Sequence, residues 1–171
     1  MELFEINENN MTDNDVKVIQ NKARALLVRD NSFLICNYAG VYMLPGGSVD
    51  NGESYDVAIL RELREEIGIE YKIQELERLI LIKYYQKNYP NRDGGTKDRI
   101  MQTLYYFGPY RGIDLSKSHR TEKEKKDKFE FSLVSFDDLN HILDTDTGNP
   151  RKPYFDRELS KAVNEYKLMM K

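Results

Sequence analysis

Three glutamates within five residues, Glu62, Glu65 and Glu66, are the sharpest chemical feature of the sequence. They fall in Ser54–Ile67, which reads as an amphipathic helix. Ile59, Leu60, Leu63 and Ile67 share a face, Ser54 can serve as N-cap and Gly68 can close the last turn. Positions i, i+3 and i+4 lie within roughly 100° of arc, so the three carboxylates crowd one face beside the apolar stripe. Ala58 falls among them, where a small side chain leaves room for an ion. Like charges at this spacing cost roughly a few tenths of a kcal/mol per pair. A cluster of oxygen donors with no thiolate suits a hard cation, Mg²⁺ or Mn²⁺. On the helix alone, an acidic face in water, partly compensated by Arg61 and Arg64, accounts for the pattern equally well.

The loop before the helix breaks that tie. Residues 47–69 run Gly, five residues, Glu, seven residues, then Arg-Glu-apolar-any-Glu-Glu-any-Gly-apolar, here Gly47, Glu53, Arg61, Glu62, Leu63, Glu65, Glu66, Gly68 and Ile69. This segment resembles the Nudix box without a departure, and Leu44-Pro45-Gly46 resembles the approach to it. The resemblance implies an α/β/α sandwich around a mixed sheet (fold class α/β, α+β), with the box as loop–helix–loop. It also implies a hydrolase that attacks, with water, the diphosphate of a nucleoside diphosphate linked to another moiety. That substrate class takes in nucleoside triphosphates, dinucleoside polyphosphates and nucleotide sugars. By the family pattern Glu62, Glu65 and Glu66 hold the metal, Mg²⁺ or Mn²⁺, while Arg61 and Glu53 orient them. Gly46 and Gly47 let the backbone approach the ligand and the helix. The general base stays open among Glu65, Glu122, Glu124 and Glu130, and Glu130 resembles the extra acidic metal ligand that many relatives place on a later strand. Residues 47–69 hold six acids and two arginines, a formal -4. An anionic diphosphate is therefore repelled until divalent ions cancel that charge.

Substrate signals are weaker. Twelve tyrosines accompany seven phenylalanines and no tryptophan, and Tyr38, Tyr42, Tyr84, Tyr85 and Tyr89 flank the box. Their rings suit a base stack, although tyrosines in strands usually pack. The marks of NADH diphosphatases, coenzyme A hydrolases and ADP-ribose pyrophosphatases are absent. Tyr84 and Tyr85 resemble the corresponding region of dinucleoside polyphosphate hydrolases. RNA 5′-pyrophosphate removal is a secondary reading, which the basic stretch Lys117–Lys128 could serve. A catalytically silent nucleotide-binding module is the alternative outside enzymology. An isomerase on the same fold is disfavoured, with His119 and His141 the only histidines and Cys36 placed mid-strand.

The elements that must position these residues are legible in outline. Lys22–Arg29 and Ser32–Tyr38 read as strands joined at Asp30-Asn31, a hairpin signal. Tyr42–Leu44 runs into Pro45-Gly46-Gly47, expected to end the strand in a loop. Ile73–Tyr85, Ile100–Phe107 and Phe129–Phe136 read as further strands, with Gln86–Asp98 a polar loop tipped by Gly94-Gly95. After Pro150 and Pro153 a final helix carries Phe155, Leu159, Val163 and Tyr166 at helical spacing, a stripe expected to be core. The expectation is one Nudix hydrolase domain over residues 1–171, with residues 1–15, rich in turn formers, a loosely attached extension.

Composition sets the remaining bounds. The chain has 171 residues, 40% of them hydrophobic, and a net charge of -3. That balance argues against binding duplex DNA, which favours a basic face. Apolar runs such as Ala25–Val28 and Leu79–Ile82 are too short to span a bilayer. The acidic start does not resemble a signal peptide, and one cysteine allows no internal disulfide. A cytoplasmic protein acting on a small nucleotide, without a membrane partner, is the expectation, with a homodimer left open.

Overall fold

The computed structural model describes residues 2–119 and 129–171. Among them eight strands form one mixed sheet: β1 (Glu2–Ile6), β2 (Val18–Arg29), β3 (Ser32–Tyr38), β4 (Val41–Met43), β5 (Gly46–Ser48), β6 (Glu77–Pro90), β7 (Thr96–Pro109) and β8 (Glu130–Ser135). The strand order is β1-β6-β7-β2-β3-β4, with β5 paired to β2 and β8 to β3. β1 runs parallel to β6 and β2 parallel to β7, and the other pairs are antiparallel. Helix α1 (Tyr55–Ile67) covers one face, while the short α2 (Leu139–Asp144) and long α3 (Lys152–Met169) cover the other. No helix among the described residues is long and apolar enough to cross a membrane.

The alternation of β2 explains the layering. Ala23, Ala25 and Leu27 turn toward α1 and are fully buried with Ala58, Ile59, Leu63 and Ile67. Burying a side chain such as Leu63 is worth about 1.5–3 kcal/mol. On the opposite face Leu26 joins Leu159, Ala162 and Val163 of α3 in a second core. Between these apolar positions β2 also carries Lys22 and Arg24, which line an open cleft rather than a core. The sandwich expected from the resemblance is the fold observed.

Several segments differ from expectation for identifiable reasons. Residues 2–6 are not a loose start: they add a parallel edge strand, Glu2 to Ile6 opposite Ile80 to Tyr84. Pro45-Gly46-Gly47 does not simply end in a loop. Gly46–Ser48 forms β5 and lies so close to β2 that a Cβ on Gly46 would fall 2.1 Å from the Ala23 carbonyl oxygen. The strands β6 and β7 consume most of Gln86–Asp98. A bulge between Gln86 and Tyr89 resets the alternation, with Asn88 at φ 56° and its N–H donating to Asp98 Oδ1 at 2.9 Å. Tyr89 is thereby turned inward and buried. Only residues 91–95 remain as the turn. In its first part Ile73–Tyr85 is a short 3₁₀ segment, Ile73–Glu75, ahead of β6.

Candidate active site on the first helix and its cleft

Helix α1 begins as its sequence dictates. Ser54 Oγ accepts from the Val57 N–H at 3.1 Å, and Gly68 ends the helix at φ 73° with its N–H on the Arg64 carbonyl. A Cβ on Gly68 would lie 1.8 Å from the Asp114 carbonyl oxygen, so this glycine also admits the chain at 114–119 against the helix end. The N–H of His119 donates to the Glu65 carbonyl at 2.5 Å.

Arg61 is the hub of the acidic face. Its Nε and Nη2 donate to Glu53 Oε2 and Oε1 at 2.7 and 2.9 Å, a bidentate pair. Nη1 donates to Glu62 Oε1 at 2.9 Å and to Glu65 Oε2 at 3.0 Å, and Nη2 also reaches the Ser48 carbonyl at 2.8 Å. Glu53 is fixed in turn by the Asp50 N–H at 2.9 Å. Arg61's hydrogen bonds hold Glu53 below the usual carboxylate range. Burial pushes Glu62 up, opposed by its bond to Arg61. Glu66 is 7% exposed, and the Gly46 N–H points at its Oε1 across 3.4 Å.

The donor set fits a hard cation: oxygen only, on successive turns, with one carboxylate nearly buried. Among the described residues no three acidic, histidine or cysteine side chains already converge into a site ready to hold an ion. Arg61 occupies one oxygen each of Glu62 and Glu65, and so keeps like charges together that an ion would otherwise bridge.

Glu62, Glu66, Gly46 and Gly47 form one wall of a cleft of about 1110 Å³. A Cβ on Gly47 would sit 2.6 Å from the Glu62 carboxylate, so the missing side chain is the space that carboxylate occupies. The floor carries Gln20, Lys22 and Arg24 from β2, and Tyr38, Phe129 and Phe155 supply aromatic surface. Tyr89, Arg92, Lys97, Arg99 and Arg151 close the far end. Among the described residues six cationic side chains against two acidic ones line the cleft, a positive surface in a chain that is negative overall. Burial, reinforced by Arg24 and Arg99, pulls the Lys22 ammonium down to about 7.

The sequence-derived candidates divide accordingly. Glu53, Arg61, Glu62, Glu65 and Glu66 come together, with Gly46 and Gly47 facing them. Glu130 does not join them. It is exposed at the start of β8, opposite Asn37, and alternates with Phe129, which is the residue lining the cleft. Glu122 and Glu124 lie outside the described residues, as does the basic stretch Lys117–Lys128 from residue 120 onward. Of the flanking tyrosines, Tyr38 and Tyr89 reach the cleft. Tyr84 and Tyr85 are buried elsewhere, bonded to Arg157 and Asp13. Phe155, expected as core with Leu159 and Val163, lines the cleft with Arg24 5.9 Å above its ring. Lys22, Arg24, Arg99 and Arg151 had no motif to announce them. The available signal was the alternation of Lys22 and Arg24 with Ala23 and Ala25 along one strand.

Comparison with known proteins bears on the family and the fold. The NUDIX domain profile matches residues 14–158. The nucleoside triphosphatase NudI of Escherichia coli is 27% identical over 124 residues, covering 68% of this chain and 82% of that protein. An ADP-ribose pyrophosphatase of Methanocaldococcus jannaschii is 34% identical over 56 residues, a match spanning 30% of this chain and 33% of the relative. The crystal structure of a MutT protein from Methanosarcina mazei Go1 shares the fold, with a TM-score of 0.56 at 21% identity over 88% of this chain and 96% of that one. With the profile running from before β2 into α3, and the box residues gathered on α1 beside the cleft, the chain belongs to the Nudix family of pyrophosphohydrolases.

Proposed function

We propose that this chain is a Mg²⁺-dependent hydrolase, with Mn²⁺ able to substitute, that cleaves the diphosphate linkage of a nucleoside triphosphate or a related small nucleotide. Nudix hydrolases generally use divalent metal ions. The observation that carries the reading is the carboxylate wall of Glu62 and Glu66 facing a cleft whose other charged lining residues, among those described, are all cations, with aromatic rings and neutral side chains between them. That wall repels a diphosphate, and the opposite surfaces attract it, so substrate is drawn in yet held off the acids until a cation intervenes. Glu62, Glu65 and Glu66 would hold the metal, which when bound neutralises phosphate charge and lowers the pKa of an attacking water. Glu53 clamps Arg61, and Arg61 aims Glu62 and Glu65. Glu65 is the most exposed of the three, with a side chain 38% accessible, and among the described residues nothing donates to its Oε1. It is the proposed proton acceptor for the water. Arg24 and Lys22 orient phosphate oxygens from the floor, and Tyr38, Phe129 and Phe155 offer faces to a base. The likeness to a nucleoside triphosphatase over most of both chains favours a triphosphate over a nucleotide sugar.

Hydrolysis of a nucleotide panel with Mg²⁺ in ¹⁸O-labelled water tests this. The label should appear on one phosphate-bearing product, a nucleoside monophosphate or its diphosphate-derived partner. Label confined to a sugar or base, or an absence of turnover across the panel, would overturn it.

A further inference from the structure

The cleft holds more positive charge than one diphosphate accounts for. Among the described residues its cations are Lys22, Arg24, Arg92, Lys97, Arg99 and Arg151. Among the described residues none of the six lies within 4.0 Å of a carboxylate. Buried or half-buried cations away from the cleft are paired: Lys152 with Asp156, Lys161 with Glu165, Lys83 with Asp13. The contrast is sharpest at Arg99, which is 5% exposed. Its guanidinium donates only to neutral groups, Gln86 Oε1 at 2.5 Å and Gln20 Oε1 at 3.1 Å, and lies 3.4 Å from the centre of the Tyr89 ring. Arg151 approaches the same ring at 5.4 Å and is anchored on the Pro90 carbonyl at 3.0 Å. Glu158, itself buried, is the one buried carboxylate among the described residues that Lys22, Arg24 and Arg99 all feel through space, and none of them bonds to it. One carboxylate against this many cations leaves a net positive charge whose burial a bound anion offsets.

The positions of these cations separate two ends. Arg24 pairs with Gly46 at the glutamate wall, whereas Gln20, which holds Arg99, lies four residues along β2, about 13 Å away. A diphosphate engaged at the glutamate wall leaves the Arg99–Tyr89–Arg151 end uncovered.

We propose that this far end is a second phosphate subsite, which selects nucleotides whose phosphate chain extends beyond the scissile diphosphate, that is, chains of three or more phosphates. This deepens the hydrolase reading above and rests on it for the identity of the scissile pair. Tyr89 fixes two guanidiniums in place, so the distal phosphate meets an ordered site rather than mobile side chains. Arg92, within the 91–95 turn, and Lys97, just after it, add charge at the rim.

Calorimetric titration with inorganic pyrophosphate, tripolyphosphate and tetrapolyphosphate in Mg²⁺, so that the first two phosphates engage the glutamate wall, makes any gain in affinity with length a readout of the far end. Wild type should bind the two longer chains at least tenfold more tightly than pyrophosphate. Arg99→Gln and Arg151→Gln should each remove most of that gap, and Arg99→Lys, which keeps the charge and controls for misfolding, should retain it. Arg111→Gln, a charge change outside the cleft, should leave the gap intact. With Mg²⁺, the ratio of kcat/KM for a nucleoside triphosphate to that for a nucleoside diphosphate sugar should fall tenfold or more in Arg151→Gln. Equal loss of affinity for all three phosphates in both glutamine variants, or a loss no larger than in Arg111→Gln, would overturn the subsite. Length-dependent binding without any hydrolysis would support the subsite while defeating the hydrolase reading. Hydrolysis without length dependence would do the reverse.

Discussion

Gly47→Ala separates the chemistry of the site from the stability of the fold. The added Cβ would lie 2.6 Å from Cδ and Oε2 of Glu62 and 2.7 Å from Oε1. Relaxed contacts sit at about 3.5–4.0 Å, so the carboxylate must retreat by about 1 Å. It can do so, because it ends a flexible side chain and Arg61 keeps Glu53 and Glu65 when its bond to Glu62 loosens. Gly47 also lies outside the left-handed region, so alanine adds no backbone strain. We expect a stability loss of about 1 kcal/mol, from one weakened charge-assisted bond, or a fall in Tm of roughly 2–4 °C at this chain length. Displacing a catalytic group by 1 Å costs about 10²-fold in rate, so kcat/KM with Mg²⁺ should drop by about that factor. Shortening the displaced side chain in Gly47→Ala/Glu62→Asp should recover about a tenth to a third of the lost activity on a logarithmic scale, as a rough expectation from non-additivity between touching groups. Gly46→Ala is the contrasting case: at φ 140° and 2.1 Å from the Ala23 backbone oxygen it should abolish folded protein. Steady-state kinetics with thermal melts on the same preparations decide the matter. Wild-type kcat/KM in Gly47→Ala, or strictly additive effects in the double variant, would refute the reasoning.

Other expectations can be checked in parallel. Glu65→Gln and Glu66→Gln, which keep shape and remove charge, should each lower kcat by at least about 10²-fold with unchanged melting, and chelator should abolish wild-type activity. Retention of full turnover by both variants would remove the glutamate wall from the mechanism. Burial raises Glu62 above its ordinary 4.5, so its stabilising contribution is complete below that value and is lost as pH rises through the elevated folded one. Metal-free melts should therefore show wild type losing Tm relative to Glu62→Gln across that interval, and parallel curves would argue against it. Lys22, lowered to about 7, leaves the unfolded chain holding the extra proton between there and about 10.5, so stability should climb with pH over that range in wild type and not in Lys22→Met. Bound phosphate should reverse the shift, so titrations near pH 8 in buffers of different ionisation enthalpy should report proton uptake that Lys22→Met lacks.

What the sequence conveyed depended on how local the determinant is. The α1 boundaries were readable because Ser54 and Gly68 act within one turn of the residues they cap. The Asp30-Asn31 hairpin was equally local, and its strands meet there as Val28 opposite Phe33. The glutamate wall was readable because its spacing is set by one helix. The other side of the cleft was not, because Arg24, Arg99 and Arg151 come from β2, β7 and the start of α3 and meet only through tertiary packing. Gln86–Asp98 looked like a loop by polarity. Its polar residues lie on an extended hairpin whose Tyr89 is buried under Arg99, and a bulge is invisible to strict alternation. Glu130 was placed by analogy of strand, and the pleat turned it away from the cleft.

Because β2 lends one set of alternate side chains to the α1 core and the other to the cleft, its length and its chemistry are locked together. A one-residue deletion between Val18 and Arg24 would reverse the facing of the positions before the lesion relative to those after it, setting charge against apolar packing. Evolutionary drift in this strand is therefore confined to exchanges of side chain, never of length. The 91–95 turn is mostly exposed and packs into no core, so a change of length there alters only the rim charge that Arg92 adds. A laboratory library meant to redirect substrate choice would follow the same division, substituting at Gln20, Lys22 and Arg24 and reserving insertions for the turn.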